Sequence, residues 1–178
     1  MAPVFGSTPS SRLQQNLRER HSYIYTGTPG VVTWRRSPAP SIIGGAATMR
    51  AEKTDSALIE WLREIRGIRE RVPTDAEMTL ARGALRGVLA AQLETADAVA
   101  ARLVFLVKNG LPLDYYKQYV SQIEKVRPRD VRAAAMTYVD PAHLVIVIAG
   151  DRKIIEPGLR AASIAPIVIV DETGKPIG

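Results

Sequence analysis

Hydrophobic positions along this chain recur with two periods, and the change between them separates strand-forming from helix-forming sequence. Residues 23–36 contain β-favouring runs on either side of a Thr-Pro-Gly bend at 28–30, and residues 41–50 predict a second strand with small residues in its middle. We expect these two stretches to pair as an antiparallel hairpin. From Thr54 onward the apolar residues recur three and four apart, which is the spacing of amphipathic helices.

Five consecutive helices are predicted between Thr54 and Asp140. The first is an amphipathic helix of about five turns with an apolar stripe made of Leu58, Trp61, Leu62, Ile65 and Ile68. Boundary signals then follow in order: a capping box at 74–77, a start near Thr95, a left-handed end at Asn109-Gly110, a start near Leu111, and Pro128 at a first helical position.

Residues 144–149 form an uninterrupted apolar run of strand length, which predicts a strand covered on both faces. A short helix to Arg160 and a β-favouring segment at 167–170 complete the chain. Strands, then five helices, then a returning strand predict an α+β fold, in which helices pack on one face of a mixed, mainly antiparallel sheet. We expect a single domain over 1–160, with 161–178 as a tail that adds an edge strand.

With 178 residues, 46% of them hydrophobic, the chain can bury one core. The net charge of +6 comes from arginines interleaved with acids, which is typical of solvated helix faces and argues against a nucleic-acid site. A third interpretation lies between an ordinary charged surface and a nucleic-acid site: a cleft with a positive rim that suits acidic or carboxyl-bearing peptides. No apolar run approaches the roughly 20 residues of a membrane span. The absence of cysteine excludes disulfides and thiolate ligands.

A predicted corner between a helix and a strand at residues 11–25 holds the best candidate chemistry. Leu13 and Leu17 stand four apart, so they can bury one helix face. In the strand that follows, alternation places Tyr23 and Tyr25 on one side and Ile24 on the other. Because Arg18 lies in the last helical turn, a guanidinium and a phenol can meet at this sheet edge.

This corner resembles a signature in the metal-free half of the pitrilysin/insulinase-type zinc metallopeptidases, the inverzincins, where an Arg is followed seven residues later by a Tyr. The matching pair here is Arg18 and Tyr25. Ser22 stands where relatives usually have glycine. Further similar segments follow in the order of that half-domain, at 53–65, 73–85, 111–120 and 140–151. The half-domain normally begins with additional strands and a helix, so we expect a truncated C-terminal half. Its true start would then lie upstream. Export to the periplasm and a cytoplasmic location therefore cannot be distinguished.

The resemblance implies that Arg18 holds the peptide substrate and that Tyr25 stabilises the tetrahedral intermediate. It also implies a homologous partner half or subunit that carries the zinc. In the alternative, purely structural interpretation, Arg18 pairs with Glu19 or a helix end and Tyr25 fills the sheet surface. A different alternative for the whole chain is a non-catalytic structural or assembly subunit of the same family.

The sequence cannot build the zinc site of this family, which needs His-x-x-Glu-His. Its two histidines, His21 and His143, lie in different predicted elements. His143 is expected to be a surface or satisfied side chain, and His21 is a weak candidate for catalysis because of its place beside Arg18. A tyrosine cluster at Tyr115, Tyr116 and Tyr119 is expected to serve packing.

Overall fold

Helices form most of the molecule. The structure is a computed structural model that describes residues 1–24, 30–34 and 42–177, with 30–34 and 42 described by their backbone alone. Its helices are α1 (Ala2–Phe5), α2 (Arg12–Gln14) continued by a π-helical segment (Gln15–Arg20), a 3-10 turn (Ala51–Lys53), α3 (Thr54–Glu70), α4 (Asp75–Ala91), α5 (Ala96–Lys108), α6 (Tyr115–Lys125), α7 (Pro128–Tyr138) and α8 (Arg152–Ala162). None of them within the described ranges has both the length and the apolar character needed to cross a bilayer.

The prediction of a mainly antiparallel sheet is wrong. About 60% of the described residues are helical, and the named strands among them are limited to β1 (Gly30–Trp34) and β2 (Ile42–Ala46). These two strands pair antiparallel, with Gly30 opposite Ala46 and Trp34 opposite Ile42. The predicted hairpin is therefore confirmed, whereas the larger sheet to which it was assigned is absent from the described residues.

Residues 144–149 show why the sheet prediction failed. The segment lies outside every helix and strand, and no backbone hydrogen bond joins it to a described residue. Its side chains alternate in exposure, with Val145 at 91% and Val147 at 84%, against 39%, 41% and 40% for Leu144, Ile146 and Ile148. Hydrophobic sequence can favour a strand-like segment, but a ladder also requires a neighbouring strand. The expectation that this segment is covered on both faces is wrong.

The helix boundaries, in contrast, follow the sequence signals. Thr74 and Glu77 form the predicted capping box at the start of α4, and the Thr95 side chain accepts a hydrogen bond from the Ala98 amide at the start of α5. Gly110 takes the left-handed conformation, with φ +62°. These signals are local in sequence, so they act in the same way whatever the tertiary arrangement.

The hydrophobic core is organised around α3, which packs against the π-helical segment, α7 and α8. Leu13 and Leu17 are fully buried there, which confirms their predicted shared face. The core also takes Val4, Phe5, Ile24, Ala57, Leu62, Ile65, Ile68, Met78, Ala81, Val131, Ala135 and Val139. The corner at residues 11–24 is thus anchored directly on the longest buried helix face.

Candidate functional site

The corner that carries Arg18 is a π-helical turn closed by a left-handed residue. The His21 amide reaches back to the Asn16 carbonyl at 3.2 Å, a hydrogen bond that spans five residues. Ser22 has φ +53°, and its amide donates to the Arg18 carbonyl at 2.9 Å. The Tyr23 amide donates to the Leu17 carbonyl at 2.8 Å. The chain therefore reverses tightly even though serine occupies a position that favours glycine.

Arg18 projects from this turn with half of its side chain exposed, and its Nε lies 3.9 Å from a carboxylate oxygen of Glu19. An exposed ion pair of this length contributes little, so it does not hold the guanidinium in place. Beyond the turn, Ile24 is buried and bridges Met49, while Tyr23 is only half-buried. Tyr25 lies outside the described residues, so its predicted juxtaposition with Arg18 stays a prediction.

The two histidines have unrelated surroundings. The His21 ring stacks on Tyr23, with ring centroids 5.0 Å apart. His143 is exposed, and its Nδ1 lies 2.7 Å from a carboxylate oxygen of Asp140. This hydrogen bond holds the pKa of Asp140 below its ordinary value. Within the described residues, no group of three or more histidine, cysteine or carboxylate side chains could hold a metal ion, so this part of the chain does not fit the zinc of the resembled family.

A buried polar network, which sequence reasoning missed, attaches the π-helical segment to α3. The Asn16 amide nitrogen donates to Glu60 at 3.0 Å and to Glu64 at 2.9 Å. All three side chains belong to buried residues. Arg63 and Arg71 pair with Glu60 and Glu64 at 2.7 and 2.8 Å, respectively. The signal available in the sequence was a pair of glutamates one helical turn apart beside the apolar stripe of α3.

A second link joins α2 to the start of α4. Arg12 forms a two-pronged ion pair with Glu77, with nitrogen–oxygen distances of 2.6 and 3.0 Å. Glu77 also accepts the Thr74 amide as part of the capping box. The hydrogen bond from Arg12, followed by the backbone bond from Thr74, lowers the pKa of Glu77 against the opposing effect of burial. The helix that precedes the corner is thereby fixed to two others.

The three tyrosines at the start of α6 contact one another. Ring centroids lie 5.2 Å apart for Tyr115 and Tyr116, and 5.9 and 6.1 Å for their contacts with Tyr119. Partial burial raises the pKa of the Tyr119 hydroxyl. The cluster makes the aromatic packing that was predicted for it.

Comparison with solved structures identifies the fold. A peptidase M16 inactive domain from Pseudomonas fluorescens superposes with a TM-score of 0.67 over 79% of this chain, at 20% sequence identity. The chain shares the fold of that domain. A protease from Helicobacter pylori matches 79% of the chain with a TM-score of 0.57 at 17% identity. A candidate zinc protease from Bordetella pertussis Tohama I matches 78% with a TM-score of 0.59 at 18% identity.

The superposition covers most of this chain but a smaller share of two of the three structures. This chain spans 33% of each of the first two structures and 74% of the third. No sequence-family model matches the chain, and no curated protein matches it in sequence. The likeness is therefore one of fold.

Proposed function

We propose that this chain is the substrate-holding, metal-free half of a zinc-dependent metalloendopeptidase and acts together with a homologous half that bears the zinc. The observation that carries the proposal is the fold shared with a peptidase M16 inactive domain. The lack of a metal-ligating group in the described residues agrees with the division of labour between two such halves.

In this proposal Arg18 and Tyr25 face the bound peptide. Amide hydrolysis develops negative charge on the former carbonyl oxygen, and a positioned hydroxyl can donate a hydrogen bond to it. We assign that role to Tyr25. The planar fork of Arg18 holds a neighbouring carbonyl oxygen of the substrate. Arg18 suits this role because its only ion-pair contact with a described residue is the weak one to Glu19.

Exposed apolar side chains on this chain also support the proposal of a partner half. Val145 and Val147 are exposed at 91% and 84%, and α5 exposes Val104 and Val107 at 65% and 72%. Apolar surfaces of this kind mark interaction sites in soluble proteins.

The proposal is tested by purifying the tagged chain from its native host together with whatever protein accompanies it. We expect zinc and chelator-sensitive peptidase activity in the complex, and neither with the chain alone. Tyr25→Phe in the complex should lower kcat about 100-fold or more, because one oxyanion donor is lost. Tyr138→Phe, at a tyrosine that is 68% exposed on α7, is the matched control and should leave kcat unchanged.

Arg18 is tested in the same complex by Arg18→Ala, with Arg20→Ala as the control from the same π-helical segment. We expect a raised KM for the first variant and wild-type kinetics for the second. Zinc-dependent activity of the isolated chain would contradict the proposal. Unchanged kinetics of both Tyr25→Phe and Arg18→Ala would instead support the alternative of a structural or assembly subunit.

A further inference from the structure

A second candidate site lies between the last turns of α3 and the middle of α7, away from the corner. It is a partly open cavity of about 410 Å³. Its lining consists of Arg66, Arg69, Glu70, Arg132, Met136 and Pro141. Three arginine residues and a single glutamate therefore contribute to the lining of one small cavity.

Two of the three arginines are anchored by hydrogen bonds to backbone carbonyls. Arg69 donates through one terminal nitrogen to the Val139 carbonyl at 2.8 Å, and Arg132 donates through Nε to the Arg69 carbonyl at 3.0 Å. A guanidinium has five N–H donors, so each keeps several for another acceptor. The anchoring reduces the side-chain entropy that would be lost when a ligand binds.

Arg66 has no hydrogen bond or ion pair to any described residue. Glu70, on the same wall, has none either. At the margin, Asp140 lies 4.0 Å from Arg69, but it already accepts hydrogen bonds from His143 and from the Ala142 amide. The carboxylates of Glu70 and Asp140 therefore offset only part of the charge of the three arginines, and a formal net charge of about +1 remains around the cavity.

We propose that this cavity binds an oxyanion, a carboxylate or a phosphate group, whose apolar remainder contacts Met136 and Pro141. Arginine forks match the planar or tetrahedral oxygens of these groups in two-pronged hydrogen bonds. The inference depends on α3, α7 and Pro141 just beyond α7, and not on the corner at residues 11–25, so its failure would leave the proposal for Arg18 and Tyr25 untouched.

A purely structural role for these arginines makes a different prediction. Arg69 and Arg132 join α3 to α7 whether or not a ligand binds, so their loss would weaken the fold in either case. Arg66 makes no such link. Its replacement should leave stability unchanged and weaken only anion binding, which makes Arg66→Gln the decisive variant.

The experiment follows the methionine methyl groups by NMR in protein labelled with 13C at the methionine methyl carbons. The chain has four methionines; Met136 lines the cavity, whereas Met78 is buried in the core and serves as the internal reference. Inorganic phosphate is titrated at constant ionic strength, and Met136→Leu assigns the signal. We expect the Met136 signal to shift and saturate with a dissociation constant on the order of 1 mM, while the Met78 signal stays in place.

Arg66→Gln should raise that dissociation constant about tenfold, the equivalent of one lost charge-assisted hydrogen bond. Arg129→Gln removes the same charge one turn away on α7, outside the cavity lining, and should change the constant less than about twofold. Circular dichroism and thermal unfolding of both variants should match the wild type. Equal effects of the two variants would overturn the proposal, because they would indicate attraction by net charge alone.

The source of the oxyanion is distinguished by two further ligands: an acetylated dipeptide with a free carboxylate and a leucine side chain, and the same dipeptide as its amide. A shift with the carboxylate form alone identifies a peptide terminus, and a shift with phosphate alone identifies a phosphate group. Binding of both would show a general oxyanion site. Saturation by the amide, or no shift with any of these ligands, would refute the proposal.

Discussion

Asn16 shows how a single buried amide can determine the position of a neighbouring functional residue. Its nitrogen faces two carboxylates of α3, which only accept hydrogen bonds, so the amide orientation is fixed with its oxygen turned away. That oxygen is buried without a partner among the described residues, a cost that the two charge-assisted bonds offset. Since Arg18 lies two residues later on the same π-helical segment, Asn16 also sets the position from which Arg18 projects.

Asn16→Ala should therefore destabilise the chain by about 3 kcal/mol, because two buried carboxylates each lose a donor. Asn16→Asp should destabilise at least as much, since it brings a third carboxylate against them. Gln15→Ala, at the exposed neighbour on the same segment, is the control and should change the free energy of unfolding by no more than about 0.5 kcal/mol. Urea unfolding of the three variants tests this, and equal stability of Asn16→Ala and the wild type would show that the network contributes nothing.

At the scale of elements, the ion pair between Arg12 and Glu77 ties α2 to the first turn of α4. The Glu77 carboxylate satisfies a helix N-terminus and a guanidinium at once, which explains its lowered pKa. A lowered folded-state pKa means that the ionised form stabilises the fold. This contribution is complete above the ordinary pKa of 4.5 and disappears as the pH falls through the lower, folded value.

We expect the wild type to lose more stability than Glu77→Gln between about pH 6 and about pH 3, because the variant has no carboxylate to protonate at this position. At about pH 6, Glu77→Gln should be less stable by about 2 kcal/mol, since charge-assisted bonds become neutral ones. Urea unfolding across this pH range measures both effects. Parallel stability curves for the two proteins would show that Glu77 does not contribute to the acid sensitivity.

Elements whose signals are local were predictable, and elements that depend on distant partners were not. The capping box of Thr74 and Glu77, the left-handed Gly110 and the antiparallel hairpin all involve residues near one another in sequence. The network of Asn16 joins residues 44 and 48 positions apart, and Arg132 bonds to a carbonyl 63 residues away. Local patterns in a single sequence do not indicate which residues come into contact across such separations.

At the scale of the whole molecule, the uncovered segment 144–148 is the main departure from an ordinary soluble surface. Val145 and Val147 are almost fully exposed, and the backbone between His143 and Gly150 has unpaired hydrogen-bonding groups within the described structure. An apolar segment with unpaired backbone N–H and C=O groups can pair with another chain in the way that an exposed strand edge does. The isolated protein should therefore self-associate through this segment as its concentration rises.

Replacing Val145 and Val147 together by lysine should lower the average mass in solution without reducing the stability of the monomer, because both side chains already face solvent. The matched control replaces Val104 and Val107 on α5 by lysine; these valines are exposed to a comparable degree, but helix α5 satisfies its own backbone hydrogen bonds. Light scattering over a concentration series compares the two double variants. If the average mass of the α5 variant falls by the same amount, exposed apolar area drives the association, and the unpaired backbone of residues 144–148 does not.

The sequence by itself determined the helices from Thr54 onward, the hairpin and the buried face of Leu13 and Leu17, because helical period, caps and turns act over a few residues. Only the tertiary structure decided that residues 144–149 form no ladder with the described residues, that Asn16 attaches the Arg18 turn to α3, and that Arg66, Arg69 and Arg132 line one cavity. These features depend on which distant segments pack against one another, and the same local sequence pattern is compatible with many tertiary arrangements. The physical reason is that a strand, a buried amide and an anion site are each completed by partners far away along the chain.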